Sequence, residues 1–336
     1  MERQELVTKA LELGIDLAGF TTRQRLDLKL PAQMRPSRMS EFLDTFLVFG
    51  KKIPRGVSGA RSRTIHQQQN AGLIHRGLEE AVGELGYWLE GADYLAVTVP
   101  SLLLDFKTSF PENNTPAGQG STFLRLAAVE AGLGTLGLNQ MLLTPQFGPR
   151  VYLAGMMTDW KPGTDDLPDE LVDEPVKEEL CPGLEECGRC AAICPEQAIP
   201  GEAPQVAPLS QYRGLDSRAC ARTSQPAGVF SYVEHLKALL RSQTAEELQG
   251  KIFSSTTRKI WHNMAILRQG AFTGCMRCME VCPVGDDYAD LARSPHRQQD
   301  LPAGVQHGIT KGLVQIQTAA NGPRQPSPKQ RESGSH

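Results

Sequence analysis

Three short apolar runs in the first half of the chain have the length and composition of buried β-strands. They span Phe46 to Gly50, Tyr94 to Val99 and Val151 to Thr158. Between the first two runs, apolar residues recur at helical spacing and predict one amphipathic helix, which contains Ile74, Leu78, Ala81, Val82 and Leu85. A helix between buried strands predicts an α+β or α/β layer structure for this half of the chain.

The pattern changes after this layer. Lys161 to Glu179 is rich in proline, aspartate and glutamate, which predicts a linker. We therefore expect a first domain over residues 1–170, a second over 171–290 and a C-terminal extension over 291–336. From about Gly304 the extension is rich in Gln, Pro, Ser and Gly, and its apolar content is too low for a firm fold.

A helical insertion is predicted within the second region. Five residues fall near one helical face: Tyr232, His235, Leu236, Leu239 and Leu240. Thr244 and Glu247 have the spacing of a capping box at the start of a further helix. We interpret the insertion as a segment that packs over the metal clusters bound by the cysteines on either side of it, and we interpret His235 and His262 as packing or surface residues.

Composition sets outer limits on function. The chain has 336 residues, 40% hydrophobic and 22% charged, which is enough for one large core and a smaller second domain. The net charge of -3, without a basic stripe, gives no nucleic-acid footprint. No apolar stretch reaches the roughly 20 residues that span a bilayer, and the first residues lack an export signal. We expect a cytoplasmic protein without membrane contact.

Cysteine usage is the most informative chemical feature. All eight cysteines lie between residues 181 and 282, and none lies in the first 180 residues. A disulfide framework is the simplest alternative. It fits poorly, because thiols stay reduced in a chain without an export signal and because the cysteines form two short runs with similar internal spacing.

Both cysteine runs end in C-x2-C-x3-C-P, as in bacterial ferredoxins with two clusters. In that pattern the cysteine before proline ligates the other cluster. Applied by position, this crossover assigns Cys181, Cys187, Cys190 and Cys282 to one 4Fe-4S cluster. It assigns Cys194, Cys220, Cys275 and Cys278 to the other. Zinc is the competing metal, but two zinc sites would not require the paired C-x3-C-P endings.

A glycine motif upstream invites a different interpretation. Gly132, Gly134 and Gly137 match G-x-G-x-x-G, and Asp159 follows at about the distance of a dinucleotide fingerprint. That fingerprint must follow a strand and open a helix, whereas Ser121 to Ala131 predicts a helix before the glycines. We therefore interpret the glycines as positions of tight turns or close backbone approach.

The residues before the cysteines carry a family resemblance. Three segments before the two cysteine runs carry it: RLAAVEAGLGTLGLN from Arg125 to Asn139, LTPQFGPRV from Leu143 to Val151, and Met157 to Asp159. Together with Gly274 to Pro283, they resemble the epoxyqueuosine reductase and reductive dehalogenase superfamily. The resemblance implies an α+β fold, with a nitroreductase-like core that holds base-off cobalamin and a ferredoxin-like module with two 4Fe-4S clusters. It implies corrinoid contacts near Gly132, Gly134, Gly137, Asn139 and Thr144.

The implied activity is that of a cobalamin-dependent oxidoreductase. Two clusters would receive electrons from an external low-potential donor of the ferredoxin or flavodoxin type and pass them to cobalt, for reductive removal of a leaving group. Epoxyqueuosine reductases place an aspartate shortly before the A-G-L-G run, where an ungapped count gives Gly118 here. We therefore expect a small organic substrate in preference to tRNA. The catalytic residue is unknown, and the candidate proton donors are Tyr87, Tyr94, Asp105, Tyr152 and Asp159.

Two other function classes remain open at this point. An iron-sulfur electron carrier, or a reductive activator of another corrinoid protein, would use the first domain only for docking. A flavin enzyme would hold FMN in the same type of core.

Overall fold

The computed structural model describes residues 1–30, 32, 35–59, 63–99, 120–161, 173–199, 215–224, 228–266 and 275–289. These residues belong to one compact unit, Met1–Ser294. The predicted C-terminal extension lies outside the described residues, as do Asp105 and Gly118.

A four-stranded antiparallel sheet forms the centre of the unit. Its strands are β1 (Leu17–Thr22), β2 (Thr45–Lys52), β3 (Ala96–Val99) and β6 (Val151–Thr158), in the spatial order β1-β2-β6-β3. The register pairs Leu47 with Met156 and Val97 with Met157. A second, two-stranded sheet pairs β4 (Thr135–Leu136) with β5 (Leu142–Leu143). The three predicted strands are confirmed, each within two residues of its predicted bounds.

Both faces of the larger sheet are buried at β2 and β6, which explains why these two strands are almost continuously apolar, whereas the edge strand β3 exposes Val97 and Thr98. Along β2, Leu47 and Phe49 pack on one face, while Phe46 and Val48 pack on the other. The first face is covered by α1 (Arg3–Glu12) and by the predicted helix α3 (Arg63–Glu90). The second face is covered by α2 (Arg23–Lys29) and α4 (Gly120–Glu130). Short 3-10 turns occupy Pro36–Arg38 and Arg55–Gly59.

Two features of the first half differ from the sequence patterns. No strand is predicted before Phe46, yet β1 follows α1 directly, after a turn at Gly14 with a φ of +79°. The end of the predicted linker is also part of the folded unit. The Asp173 N–H donates to the Phe20 carbonyl at 3.0 Å, and the Phe20 N–H donates to the Asp173 carboxylate at 3.0 Å. Arg25 also bonds the Asp173 carbonyl and the Glu174 carboxylate, so the linker interpretation is wrong for these two residues.

Short helices carry the cysteine-rich region. They are α5 (Gly183–Glu186), α6 (Arg189–Ile193), α7 (Ser217–Ser224) and α11 (Arg277–Glu280). The insertion between α7 and α11 contains α8 (Val229–Leu240), α9 (Ala245–Ile252) and α10 (Ser255–Trp261), followed by a π turn at His262–Ile266. The helical prediction is confirmed, and the Thr244 hydroxyl caps α9 by accepting a hydrogen bond from the Glu247 N–H at 3.1 Å.

The predicted packing face of the insertion is only partly covered by the described residues. Tyr232, Leu236 and Leu240 form a stripe on α8 and are 40%, 39% and 86% exposed. The interpretation that the insertion packs over the clusters stays a prediction. His235 bonds the Thr257 hydroxyl at 2.8 Å, and His262 is exposed, as predicted for non-ligands.

The fold is a mixture of helices and sheet. Its finer description as a nitroreductase-like core with a ferredoxin-like module stays a prediction, and so does the domain boundary near residue 170. Among the described residues, no helix is both long enough and apolar enough to span a membrane.

Candidate metal centres in the cysteine-rich region

All eight cysteine side chains are described, and all are free thiols of intermediate exposure. Short helices position most of them: Cys187 and Cys194 end α5 and α6, while Cys190, Cys220 and Cys278 lie within helices. The remaining thiols flank these helices. Leu138 and Ile199 form a small hydrophobic cluster, and four thiols pack against it: Cys181, Cys190, Cys194 and Cys278.

The first thiol set consists of Cys181, Cys187, Cys190 and Cys282. These four residues line one cavity that is partly open to solvent, together with Gly137, Leu138 and Asn139. Burial raises the pKa of the Cys190 thiol to about 12, and the nearby charges of Cys181, Cys282 and Cys187 contribute to this shift. Burial likewise raises the pKa of Cys282 to about 12.

The second thiol set consists of Cys194, Cys220, Cys275 and Cys278. Burial raises the pKa of Cys278 well above its ordinary value, and the other three thiols of the set add to this effect. Burial also raises the pKa of Cys220, where a 3.8 Å contact from its sulfur to the Ser224 hydroxyl opposes the shift. The charge of Cys190 also raises the pKa of Cys278, so the two sets lie close to each other.

Cys190 and Cys278 each lie within electrostatic reach of the three other thiols of their set, and the assignment of the two sets to metal centres stays a prediction. Among the described residues, no group of three or more His, Cys, Asp or Glu side chains converges on a point suitable for one metal ion. A mononuclear zinc site needs such convergence, with sulfur about 2.3 Å from the metal. A cubane spreads its irons over four corners, so its thiolates need not meet at one point. As ligands of 4Fe-4S clusters, the eight cysteines stay a prediction.

Two arginines from the first half of the chain lie beside the thiols. The positive charge of Arg125 lowers the pKa of Cys220, and that of Arg150 lowers the pKa of Cys282, in both cases against the larger effect of burial. The sequence analysis assigned no site role to either residue. Both lie within the segments that carry the family resemblance, but a charged residue in such a segment does not by itself indicate which thiol it approaches.

The five positions that the resemblance assigns to a corrinoid have defined surroundings. Gly132 has a φ of +69°, and a Cβ there would lie 2.7 Å from the Glu174 carbonyl oxygen. At Gly134 a Cβ would lie 1.8 Å from the Leu143 carbonyl oxygen. Glycine is thus required at both positions by the chain's own backbone.

The other three assigned positions face different surroundings. Gly137 and Asn139 line the cavity of the first thiol set. Thr144 is fully buried, and its hydroxyl bonds the Phe147 N–H at 3.1 Å and the Gly148 carbonyl at 3.3 Å. As corrinoid contacts, all five residues stay a prediction.

The candidate proton donors are scattered. Tyr87 is 76% exposed on α3, and the Asp159 carboxylate accepts a hydrogen bond from the Leu95 N–H at 2.8 Å. Tyr152 is buried, and its ring lies 4.0 Å from that of His75. Burial raises the pKa of Tyr152 well above its usual range and lowers that of His75 to about 3. None of these residues is assigned a catalytic role.

Comparison with known proteins identifies relatives. No protein-family model matches the chain. Epoxyqueuosine reductase from Bacillus cereus is 24% identical over 314 residues, covering 89% of this chain and 68% of the relative. The enzyme from Listeria monocytogenes is 24% identical over 309 residues, covering 85% and 66%. Tetrachloroethene reductive dehalogenase from Desulfitobacterium hafniense is 38% identical over 88 residues, which is 26% of this chain and 14% of the relative.

The predicted resemblance to the epoxyqueuosine reductase and reductive dehalogenase superfamily is confirmed. These relatives are oxidoreductases, and the chain spans about two thirds of the length of the epoxyqueuosine reductases it matches.

Solved structures give weaker matches. An epoxyqueuosine reductase crystallised with a modified tRNA stem loop has a TM-score of 0.45 at 20% identity, covering 84% of this chain and 64% of that one. A catabolic reductive dehalogenase has a TM-score of 0.42 at 17% identity, covering 82% and 37%. Both scores lie below 0.5, so the resemblance rests on the sequence matches.

Proposed function

We propose that the chain is a reductase in which two 4Fe-4S clusters carry electrons toward a corrinoid, for reductive removal of a leaving group from an organic substrate. The observation that carries the proposal is the division of eight free thiols into two neighbouring sets of four. One cluster would be held by Cys181, Cys187, Cys190 and Cys282, and the other by Cys194, Cys220, Cys275 and Cys278.

The chemistry of the thiol sets supports this assignment. Buried thiols with raised pKa values stay protonated in the metal-free chain, so cluster assembly must release their protons and stabilise the thiolates. The nearby cations Arg125 and Arg150 favour the same ionised state. Because Cys190 and Cys278 are within electrostatic reach of each other, electrons would pass between adjacent clusters without leaving the protein.

A corrinoid would supply a cobalt centre that becomes strongly nucleophilic when reduced. Its binding here is proposed from the sequence resemblance. Among the described residues, Gly132 and Gly134 are closed by the chain's own backbone, so the five assigned positions do not by themselves form a corrinoid cradle. We therefore assign no proton transfer or substrate contact to particular residues. Gly118, where the epoxyqueuosine reductases have an aspartate, favours a small organic substrate over tRNA.

The decisive experiment is anaerobic purification followed by analysis of iron, inorganic sulfide and corrinoid binding. We expect about eight iron and eight sulfide per chain after reconstitution, together with added cobalamin that co-elutes with the protein. Cobalt(I) should then be oxidised faster when an organic halide or another substrate with a leaving group is added. About four iron per chain would contradict the two-cluster assignment.

An iron-sulfur carrier or reductive activator is the second candidate. The two thiol sets support it as well, because a carrier needs clusters but no enclosed cofactor site. Such a protein would accept electrons from a ferredoxin or flavodoxin and reduce a second corrinoid protein. Eight iron per chain without cobalamin binding would support this candidate over the reductase.

A further inference from the structure

The side chain of Arg150 is surrounded by the loop that carries Cys282. Its Nη1 donates to the carbonyls of Met279 and Cys282 at 3.1 and 3.0 Å, and its Nη2 donates to the Val284 carbonyl at 2.7 Å. Nε and Nη2 also donate to the two carboxylate oxygens of Asp287, at 2.9 and 2.5 Å. The arginine side chain is 4% exposed. These five contacts match the five N–H donors of a guanidinium.

The backbone around Arg150 contacts the same loop directly. The N–H groups of Asp286 and Asp287 donate to the carbonyls of Pro145 and Gln146 at 3.0 and 3.1 Å. Gly148 has a φ of +52°, and a Cβ there would lie 1.9 Å from the Val284 carbonyl oxygen. The segment from Thr144 to Arg150 therefore docks the loop after Cys282, and glycine is required for the close approach.

The contacts between this segment and the loop bear on how Cys282 is placed in the first thiol set. Three of its members lie within ten residues of one another, but Cys282 comes from the second cysteine run. Some other part of the chain must hold Cys282 at the right place. Arg150 bonds the backbone of Cys282 itself and of residues on both sides of it, so its contacts restrict the position of this thiol.

We propose that Arg150 and Asp287 form a positioning pair that places Cys282 in the first thiol set and sets the charge balance of the cluster bound there. The inference rests on the proposed two-cluster function. Four thiolates and a 4Fe-4S core carry net negative charge, and reduction adds one more electron. The Arg150 cation favours reduction, whereas the Asp287 anion opposes it, so removal of either charge should shift the balance in an opposite direction.

The charge balance gives a test that a purely structural role would not pass. Arg150→Gln leaves Asp287 as an uncompensated anion and should lower the reduction potential of the first cluster. Asp287→Asn leaves the cation and should raise it. We expect about a tenfold change in the reduction equilibrium constant in each direction, which corresponds to about 59 mV for one electron. The second cluster should change much less.

The measurement is a mediated redox titration followed by electron paramagnetic resonance, with iron content determined for every variant. The matched control is the ion pair of Arg23 and Asp44, joined at 2.7 Å in the first half of the chain. Arg23→Gln and Asp44→Asn should leave both potentials unchanged. Loss of about four iron in Arg150→Gln, with the second cluster's signal retained, would also support a positioning role.

Three results would overturn the inference. The first is a shift of the first cluster's reduction potential in the same direction in Arg150→Gln and Asp287→Asn. The second is an equal shift of the reduction potential at both clusters. The third is full retention of both clusters at unchanged reduction potentials. Native protein with fewer than two clusters would instead contradict the proposed function, so the two failures are distinguishable.

Discussion

The two thiol sets are held by different kinds of interaction. In the first set, Cys282 is anchored by polar contacts: one buried guanidinium, one carboxylate and several backbone carbonyls. In the second set, Cys278 lies between Met276 and Met279, which are both 2% exposed and pack into the same apolar core as α3 and β6. The first half of the chain thus holds the Cys282 loop through hydrogen bonds from Arg150. It holds the helix of Cys278 mainly through packing, together with hydrogen bonds from Arg150 to the Met279 carbonyl and from Gln67 to the Glu280 carboxylate.

This difference predicts different sensitivities. Loss of one donor, or displacement of the backbone, should lower stability by a large step, because buried carbonyls are then left without hydrogen-bond partners. Apolar packing fails more gradually and responds to changes in the core, including charge placed within it. The following predictions separate the two sets on this basis.

The largest effect is expected from loss of a predicted cluster ligand, either the crossover ligand Cys282 or Cys278, which belongs to its own run. Cys282→Ser should remove the first cluster and about four of eight iron per chain, while leaving the second cluster's signal. Cys278→Ser should remove the second cluster and leave the first. Iron analysis with electron paramagnetic resonance of the reduced protein checks both variants. If Cys282→Ser removed only the cluster of Cys220, the crossover assignment would be wrong.

A smaller effect is expected when the docking of the Cys282 loop is disturbed without touching a ligand. Gly148→Ala places a methyl group against the Val284 carbonyl at a residue with positive φ, and should cost about 2 to 4 kcal/mol of unfolding free energy. The first cluster should become the more labile one under a chelator. Gly250→Ala is the matched control, since a methyl group at this position in α9 would meet open space. Equal loss of both clusters in Gly148→Ala would contradict the comparison.

The smallest effect concerns the apolar core beside the second set. Burial lowers the pKa of His75 from 6.5 to about 3, so the folded chain keeps this side chain neutral. Below pH 6.5 the unfolded chain binds a proton that the folded chain does not, and stability falls as the pH falls. Between about pH 8 and about pH 5.5 the expected loss is about 1.4 kcal/mol of unfolding free energy.

Denaturant unfolding at the two pH values measures this loss. His75→Phe should remove most of it, whereas His262→Gln, at an exposed position, should retain it. An unchanged pH dependence in His75→Phe would show that another group is responsible.

Much of the fold and of the thiol grouping could be predicted from local sequence. Buried strands such as Val151–Thr158 and the helix that contains Leu78 follow from hydrophobic periodicity, because each element must bury its apolar face. The division of the eight cysteines comes from the two-cluster ferredoxin pattern that their spacing resembles, and as a set of cluster ligands it stays a prediction.

Other features depend on residues that meet only in the folded chain. The sequence indicated that Gly132 and Gly134 occupy tight positions, but only the tertiary structure shows that the carbonyls of Glu174 and Leu143 fill the space beside them. In the same way, Arg150 and Asp287 are 137 residues apart in sequence, and their pairing carries no periodic or spacing signal. Local patterns report what a segment must bury or ligate, whereas the partner of a lone charged residue or glycine is decided by how distant segments pack.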